Sequence, residues 1–265
     1  GDIGRSHSAS LRVYGHLQGD HFIACVPVKG LDVRQSIDDV AKKLRAIQPD
    51  FSFVVRCGIY NIDDRKLDVG IMGDRALMAL RSTKGRYDAD FAYYDESMRA
   101  EVFEKQELAS AMKPALSGGE FRVYLQPQYD MASGKIVGAE ALARWFHKGE
   151  VLSPAKFIEV FEQNGFIMQL DEYIWEQVCA LMRRWLDEGR PVAPISVNIS
   201  RIDIYNPKLR KILNGLVEKY RLSTEMLRLE ITETAYTQNP EQLIGVVKRL
   251  REDGFFVEMD DFGSG

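Results

Sequence analysis

The chain has 265 residues, 45% of them hydrophobic and 28% charged, a composition typical of a globular protein and unlike that of a disordered one. Its formal net charge of −4 argues against a general nucleic-acid binder, because such proteins need a basic surface to displace counterions from phosphates. No apolar run approaches the ~20 residues of a transmembrane helix, no signal peptide opens the chain, and three scattered cysteines without metal-ligand spacing fit a reducing cytosol.

The length favours two domains, since domains cluster at ~100–150 residues, and residues 1–95 are predicted to form the first as a compact α+β unit. Its predicted elements are an apolar run at 22–28, a helix at 33–47, an alternating strand at 51–59, a helix at 71–82 and a short strand at 91–94. A helix over residues 96–112, ended by Pro114 and Gly118-Gly119, is predicted to connect this unit to the next.

From Phe121 onward, strands and helices alternate. The predicted strands are 122–126, 136–145, 194–199, 227–232 and 255–260, and the predicted helices are 154–163, 171–188, 207–220 and 240–253. Proline stands in the first turn of three of these helices, where a missing N–H is tolerated, and glycine follows several helix ends. Alternating β and α units predict an α/β fold with a parallel sheet, either open or rolled into a barrel.

Oxygen-bearing side chains recur at the ends of these strands. Asn198, Glu230 and Asp260-Asp261 end consecutive strands, and Glu140 lies within an earlier one. Parallel strands are normally apolar throughout, and a buried carboxylate costs several kcal/mol unless it is compensated. One such acid would ordinarily be a satisfied structural carboxylate. Four oxygen-bearing side chains at equivalent strand positions are instead predicted to converge on the carboxyl face of a barrel, where active sites lie.

An all-oxygen ligand set without His or Cys favours Mg²⁺ or Mn²⁺ over Zn²⁺. The adjacent Asp260 and Asp261 could hold two ions, an arrangement that suits the attacking and leaving oxygens of a phosphoryl group. The residues alone therefore predict a metal-dependent, phosphate-handling site, with a structural acid cluster as the alternative.

Several motifs together resemble the EAL domains, the family of cyclic di-GMP phosphodiesterases named for a Glu-Ala-Leu motif. In family order they are Gln126-Pro127, Glu140-Ala141-Leu142 with Arg144-Trp145, "SPAKFIEVFEQNGFI", "SVNIS", "LEITE" and "DDFGSG". The resemblance implies a (β/α)₈ barrel of the TIM type and hydrolysis of the bacterial second messenger cyclic di-GMP to linear pGpG.

The resemblance also implies roles for individual residues. The implied metal ligands are Glu140, Asn198, Glu230 and Asp260, with Asp261 helping to hold a second ion. Glu233 would join Glu140, Glu230, Asp260 and Asp261 in the catalytic set by anchoring the loop that begins at Phe262. The implied dinucleotide contacts are Gln126, Leu142 and Arg144, although an ion pair with a barrel acid is the alternative for Arg144.

The chain stops at the Asp-Asp-Phe-Gly loop, whereas family members continue through three more strands that supply a lysine and a further glutamate. This predicts either a fragment of a longer protein or a barrel that a second chain completes, since five strands cannot close a barrel.

The first unit resembles the second half of a GGDEF domain, the diguanylate cyclase fold, in "LQGDHFIACVP" and in "GDRALMALRSTKGRYDADFAYYDESM". The signature is altered to Gln18-Gly19-Asp20-His21-Phe22, which loses a glycine and an acid, so no cyclase activity is expected. His21 is predicted to be a solvated turn residue rather than a metal ligand. Such a degenerate domain would act as a regulator that binds GTP or dimerises.

The predicted organisation is a degenerate GGDEF-like domain at 1–95, a connecting helix and linker at 96–120, and the first part of an EAL domain at 121–265. The predicted function is a Mg²⁺- or Mn²⁺-dependent phosphodiesterase that forms a homodimer. It would lie in the cytoplasm, or at the cytoplasmic side of the inner membrane if a sensor precedes it. The alternatives are an inactive cyclic di-GMP receptor and, if the motifs are coincidental, an enolase-type barrel enzyme.

Strand parity predicts one further contact. Arg228 lies two residues before Glu230, and Glu258 lies two residues before Asp260, so both share the inward face with the predicted ligands. We expect Arg228 and Glu258 to form an ion pair beneath the predicted metal site, unless the stagger of the strands separates them.

Overall fold

The structure, a computed structural model, describes residues 12–84, 89–232 and 240–260. The chain forms two compact units, which divide between Glu104 and Lys105. Of the helices in the described ranges, none combines the length and the hydrophobicity that a membrane-spanning segment requires.

The first unit contains two small sheets and two helices, and the first turns of a third helix. Its elements are β1 (Val13–Gln18), β2 (His21–Cys25), α1 (Val33–Ile47), β3 (Cys57–Ile59), α2 (Val69–Ser82) and β4 (Phe91–Tyr93). β1 and β2 pair antiparallel, while β3 and β4 pair in parallel. Asp32 and Asp68 cap the two helices, each accepting a hydrogen bond from a backbone N–H of the first turn. The unit has the predicted α+β content, and its resemblance to a GGDEF domain stays a prediction.

Two details of this unit differ from the sequence-based prediction. The strand predicted over 51–59 is confined to β3, because its partner β4 offers only three residues for pairing. The apolar run predicted at 22–28 becomes the second strand of a hairpin whose first strand, β1, was not predicted. His21 begins β2 with about half of its side chain exposed, 3.9 Å from Asp20, as expected of a solvated residue at a turn.

The connecting helix α3 (Glu96–Ser117) is longer than predicted, and the expectation that Pro114 helps to end it was wrong. A proline inside a helix costs about 3 kcal/mol because it removes one hydrogen bond and crowds the preceding turn. Burial of Leu108, Met112 and Ala115 in the core of the second unit offsets this cost. The helix ends where the Gly118 N–H donates to the Pro114 carbonyl and Gly119 takes a φ of 70°.

The second unit is one mixed sheet with helices packed against one face. Its elements are β5 (Phe121–Tyr129), β6 (Ile136–His147), β7 (Glu150–Leu152), α4 (Pro154–Gln163), α5 (Ile167–Asp187), β8 (Ile195–Ile199), α6 (Arg201–Ile204), α7 (Leu209–Lys219), a 3₁₀ turn (Thr224–Met226), β9 (Leu227–Thr232), α8 (Pro240–Glu252) and β10 (Val257–Asp260).

The strand order is β10-β9-β8-β6-β5, with β7 paired to β6. β6, β8, β9 and β10 run parallel, as predicted, but β5 runs antiparallel to β6. The parallel prediction is wrong for β5 because its connection to β6 is a short turn through Gly134, and parallel strands need a long crossover. Across the described residues the sheet is open, so the α/β class is confirmed and a closed barrel is not observed.

The core lies between the sheet and the helices. Trp145 of β6 and Phe121 of β5 stack at 5.0 Å between ring centroids, and the rings of Phe157 and Phe161 from α4 meet them edge-on or tilted. These four side chains are almost completely buried. Each large side chain buried in this way contributes about 1.5–3 kcal/mol to stability by leaving water. This burial stabilises the packing of the helices on one face of the sheet, and the polar groups lie on the other face.

Candidate active site

The face of the sheet opposite the helices carries the polar residues. In β6, Ala141 and Trp145 are buried on the helix side, so Glu140, Leu142 and Arg144 project to the other side. The same alternation repeats in the parallel strands β8 and β9, where valine, isoleucine and leucine face the helices. The polar face therefore follows directly from the period of two along each strand.

The register of the strands brings three of the predicted ligands together. Glu140 pairs with Ser196, and Asn198 pairs with Glu230, so the predicted ligands occupy one face of three adjacent strands. The Asn198 Nδ2 atom donates to the Glu140 Oε1 atom at 3.2 Å. Because the amide nitrogen faces Glu140, the amide oxygen of Asn198 is the atom left to act as a ligand.

Glu230 is the most deeply placed of these acids, with a relative exposure of 6%. Gln128 of β5 donates from Nε2 to its Oε1 atom at 3.4 Å. A buried carboxylate needs such donors or a cation. Gln128 was not among the predicted site residues; the signal available was its position on the same strand face as Gln126, two residues away.

The predicted ion pair between Arg228 and Glu258 is confirmed. Arg228 Nη1 lies 3.6 Å from Glu258 Oε1, and the two side chains are 27% and 30% exposed. Ser196 donates from Oγ to the other oxygen of Glu258 at 3.3 Å. The Arg228 guanidinium also lies over the Phe256 ring, 5.2 Å from its centroid. These residues form a polar layer next to Glu230 on the same sheet face.

The remaining predicted ligands cannot be placed in the same way. Asp260 ends β10, where its backbone pairs with Thr232, but its side chain is not described. Asp261 and Glu233 lie outside the described residues. Their catalytic and metal-binding roles stay predictions.

The predicted substrate residues lie on the same face as the acids. Gln126 is exposed and pairs with Glu140, and Leu142 pairs with Tyr124. Arg144 donates from Nη1 to the Ala143 carbonyl at 2.9 Å, and its guanidinium lies 5.9 Å from the centroid of the Tyr124 ring. The contacts described for Arg144 are this hydrogen bond and this ring, and the alternative of an ion pair with a barrel acid is not among them.

The donor atoms of this cluster fit a hard divalent cation. Glu140 and Glu230 contribute carboxylate oxygens and Asn198 an amide oxygen, the ligand types that Mg²⁺ and Mn²⁺ prefer. Among the side chains that the structure describes, no three from His, Cys, Asp and Glu gather as metal ligands. The two other carboxylates of the predicted set, Asp260 and Asp261, are not among those side chains.

Two neighbouring acids, the half-buried Asp171 and the buried Asp203, support the turn that follows Asn198. Ser200 and Asp203 form a capping box at the start of α6, and Asp171 of α5 is hydrogen bonded to both residues. Burial, and then the adjacent Asp203, raises the pKa of the Asp171 carboxyl well above its ordinary value. The Trp175 Nε1 atom donates to the Asn198 carbonyl at 3.0 Å, so two residues of α5 hold this turn.

Comparison with known proteins agrees with this geometry. The EAL domain family matches residues 109–265. The uncharacterized protein y4lL of Sinorhizobium fredii is 31% identical over 259 residues, which are 94% of this chain and 30% of that protein. The bifunctional diguanylate cyclase/cyclic di-GMP phosphodiesterase MucR of Pseudomonas aeruginosa is 28% identical over 176 residues, 66% of this chain and 26% of MucR.

A solved structure titled PaMucR phosphodiesterase, c-di-GMP complex, matches with a TM-score of 0.57 and 28% identity, covering 60% of this chain and 65% of the other. Since the family match extends over more than half of the residues, the chain belongs to the EAL domain family. It spans 30%, 25% and 56% of the lengths of the first three curated relatives that it matches.

Proposed function

We propose that this chain is part of an enzyme that hydrolyses cyclic di-GMP to linear pGpG with the help of divalent cations. The observation that carries the proposal is the approach of Glu140, Asn198 and Glu230 on one face of three adjacent strands. A solved EAL neighbour titled as a phosphodiesterase in complex with c-di-GMP supports the substrate class. The comparisons thus support a cyclic di-GMP phosphodiesterase-type function, and the cation and the product are our proposal.

Glu140, Asn198 and Glu230 would hold the cation, with Asp260 and Asp261 completing the set and serving a second ion. When bound, Mg²⁺ or Mn²⁺ supplies electrostatic stabilisation of the charge that develops on the phosphoryl oxygens. The contact between Asn198 and Glu140 orients both ligands before the substrate arrives, and burial of Glu230 excludes competing water from its carboxylate.

Arg144 and Gln126 are proposed to bind and orient the dinucleotide. A guanidinium can donate two parallel hydrogen bonds to a phosphate, and the side chain of Arg144 makes its described hydrogen bond only to a carbonyl of its own strand. Rotation of the side chain would therefore make the guanidinium available without breaking an ion pair. Gln126 lies opposite Glu140 in the β5–β6 ladder, where an exposed amide can reach a base or a ribose.

We also propose that the first unit regulates the enzyme and has no cyclase activity. Its support is the altered signature Gln18-Gly19-Asp20-His21-Phe22, in which His21 stands where an acid is needed. Binding of GTP by this unit and formation of a homodimer belong to the same proposal. Equilibrium binding of GTP and sedimentation of the purified protein test these two points.

The proposed reaction is tested by incubating the protein with cyclic di-GMP and Mn²⁺ and separating the products by chromatography. We expect pGpG, and we expect it to disappear with EDTA and in the variant Glu140→Gln. Glu150→Gln, which makes the same change at an exposed residue of β7, should retain activity. Tight binding of cyclic di-GMP without turnover would instead identify an inactive receptor.

A further inference from the structure

Gln128 connects two strands that are not neighbours in the sheet. It lies on β5, the edge strand, and its amide reaches Glu230 on β9, with β6 and β8 between them in strand order. Only a curved sheet can bring these inner faces within hydrogen-bond distance. The contact, 3.4 Å from Nε2 to Oε1, therefore lies inside the curve of the sheet, beside the proposed ligands.

Gly138 provides the room for this side chain. It pairs with Gln128 in the β5–β6 ladder and is buried. A Cβ atom at this position would lie 2.8 Å from Gln128 Oε1 and 3.2 Å from the Pro194 carbonyl oxygen. The Pro194 oxygen also accepts the Ala139 N–H at 3.1 Å, so it is fixed in the sheet and only the glutamine could move. The absence of a side chain at Gly138 therefore leaves space for the observed position of Gln128, and a Cβ atom here would displace the glutamine.

We infer that Gln128 is a positioning residue that orients the Glu230 carboxylate for cation binding, and that Gly138 is its necessary partner. A hydrogen bond to one carboxylate oxygen restricts rotation of the group, so the other oxygen keeps a defined direction. Residues that orient metal ligands in this way typically change metal affinity by 10–100-fold when they are replaced. The expected effect on cation binding rests on the proposed function, whereas the contact between Gln128 and Glu230 does not.

An ordinary packing role for Gln128 would have a different signature. A glutamine that only fills space could be replaced by leucine, which has a similar volume, with a change in stability and none in cation binding. An orienting glutamine loses its function in the same variant, because leucine has no N–H to donate. The affinity for Mn²⁺ alone, measured without substrate, separates these two roles.

The experiment compares the wild type with Gln128→Leu, Gly138→Ala and the control Gln163→Leu. Isothermal titration calorimetry with Mn²⁺ reports affinity, and circular dichroism checks that each variant is folded. We expect Q128L to bind Mn²⁺ about tenfold more weakly than the wild type. We expect Q163L, which removes a glutamine amide that donates to the Glu159 carboxylate within α4, to bind Mn²⁺ as the wild type does.

Gly138→Ala provides an independent route to the same result, because it displaces Gln128 without changing it. The double variant G138A/Q128L should lose no more affinity than Q128L alone, since both changes remove one interaction. Wild-type affinity in Q128L, or strictly additive losses in the double variant, would overturn the inference.

Failure of the proposed function would be recognised separately, as wild-type protein that binds no Mn²⁺. In that case thermal unfolding of Q128L, of Glu230→Gln and of the combined variant Q128L/E230Q still decides whether Gln128 and Glu230 interact. Shifts in melting temperature that are not additive would support the contact, and additive shifts would refute it.

Discussion

Arg228 and Glu258 show what one ion pair does at the polar face. Both side chains are about two-thirds or more buried, and Ser196 adds a hydrogen bond to the carboxylate. A partly desolvated pair adds little net stability, but loss of one partner leaves the other charge uncompensated. The pair therefore acts mainly to prevent an isolated charge in a region already rich in acids.

Replacing Arg228 by methionine should accordingly destabilise the second unit by about 1–3 kcal/mol, because Glu258 would remain without its partner. The double variant with Glu258→Met should recover most of this loss. Denaturant unfolding measures both. The control is Arg190→Met, since Arg190 is 64% exposed in its pair with Glu188 and should cost at most about 0.5 kcal/mol. Equal losses in R228M and R190M would contradict this reading.

At the scale of elements, the contact of β3 with α2 depends on Gly58. A Cβ atom there would lie 2.0 Å from the Ala76 carbonyl oxygen and 2.2 Å from the Leu80 nitrogen, both backbone atoms of α2. The helix therefore packs directly on the strand at this point, and a side chain of any size would force the two elements apart.

We expect Gly58→Ala to destabilise the first unit by about 3 kcal/mol, since overpacking against backbone cannot be relieved by a rotamer change. Gly73→Ala is the matched control within α2, because its Cβ would make an ordinary contact of 3.5 Å with Ile23. That change should be neutral or stabilising by up to about 1 kcal/mol, as expected for alanine in a helix. Thermal unfolding of both variants makes the comparison, and a G58A protein as stable as G73A would show that α2 is not held against β3.

The acid pair between α5 and α6 makes the stability of the second unit depend on pH. The raised pKa of Asp171 means that the folded state binds a proton that the unfolded chain has released. Stability should therefore fall as the pH rises from the ordinary aspartate value of about 4 through the raised value. The protonated Asp171 carboxyl is thus the form that the folded state favours.

Asp171→Asn should remove this loss, because an amide can donate to Asp203 at every pH. We expect the melting temperature of the variant to exceed that of the wild type at pH 8 and the difference to shrink toward pH 5. Glu172→Gln, its exposed neighbour on α5, is the control for the change in charge. Parallel pH profiles of the wild type and the D171N variant would rule out a raised pKa of Asp171 in the folded state.

At the scale of the whole molecule, the proposed cation should bind the folded chain and not the unfolded one. Glu140, Asn198 and Glu230 are separated by 58 and 32 positions in sequence and meet only when β6, β8 and β9 pair. Mn²⁺ at 100 times its dissociation constant should stabilise the fold by about 2.7 kcal/mol. Melting curves with and without Mn²⁺ measure this, and Glu230→Gln should abolish most of the shift. A shift of equal size in E230Q would place the cation elsewhere.

Much of the second unit was predictable because local signals agree with the tertiary structure. Pro154 begins α4 and the apolar period ends it at Gln163, as predicted. β9 was predicted over its observed range, Leu227–Thr232. Parity predicted that Arg228 and Glu258 share one face of the sheet. The register was not predictable in this way: Glu258 pairs with Glu230, so the ion pair with Arg228 runs diagonally between β9 and β10.

The sequence by itself determined the family, the order of the longer strands and helices after Phe121, and the face on which the proposed ligands lie, because motifs and periodicities are local properties of the chain. The short elements β7 and α6 were not predicted. The direction of β5, the continuation of α3 through Pro114 and the contact of Gln128 with Glu230 were decided by the tertiary structure. Each of these three features depends on contacts between residues far apart in sequence. The packing of the core and the curvature of the sheet outweigh the local conformational preference of any single residue.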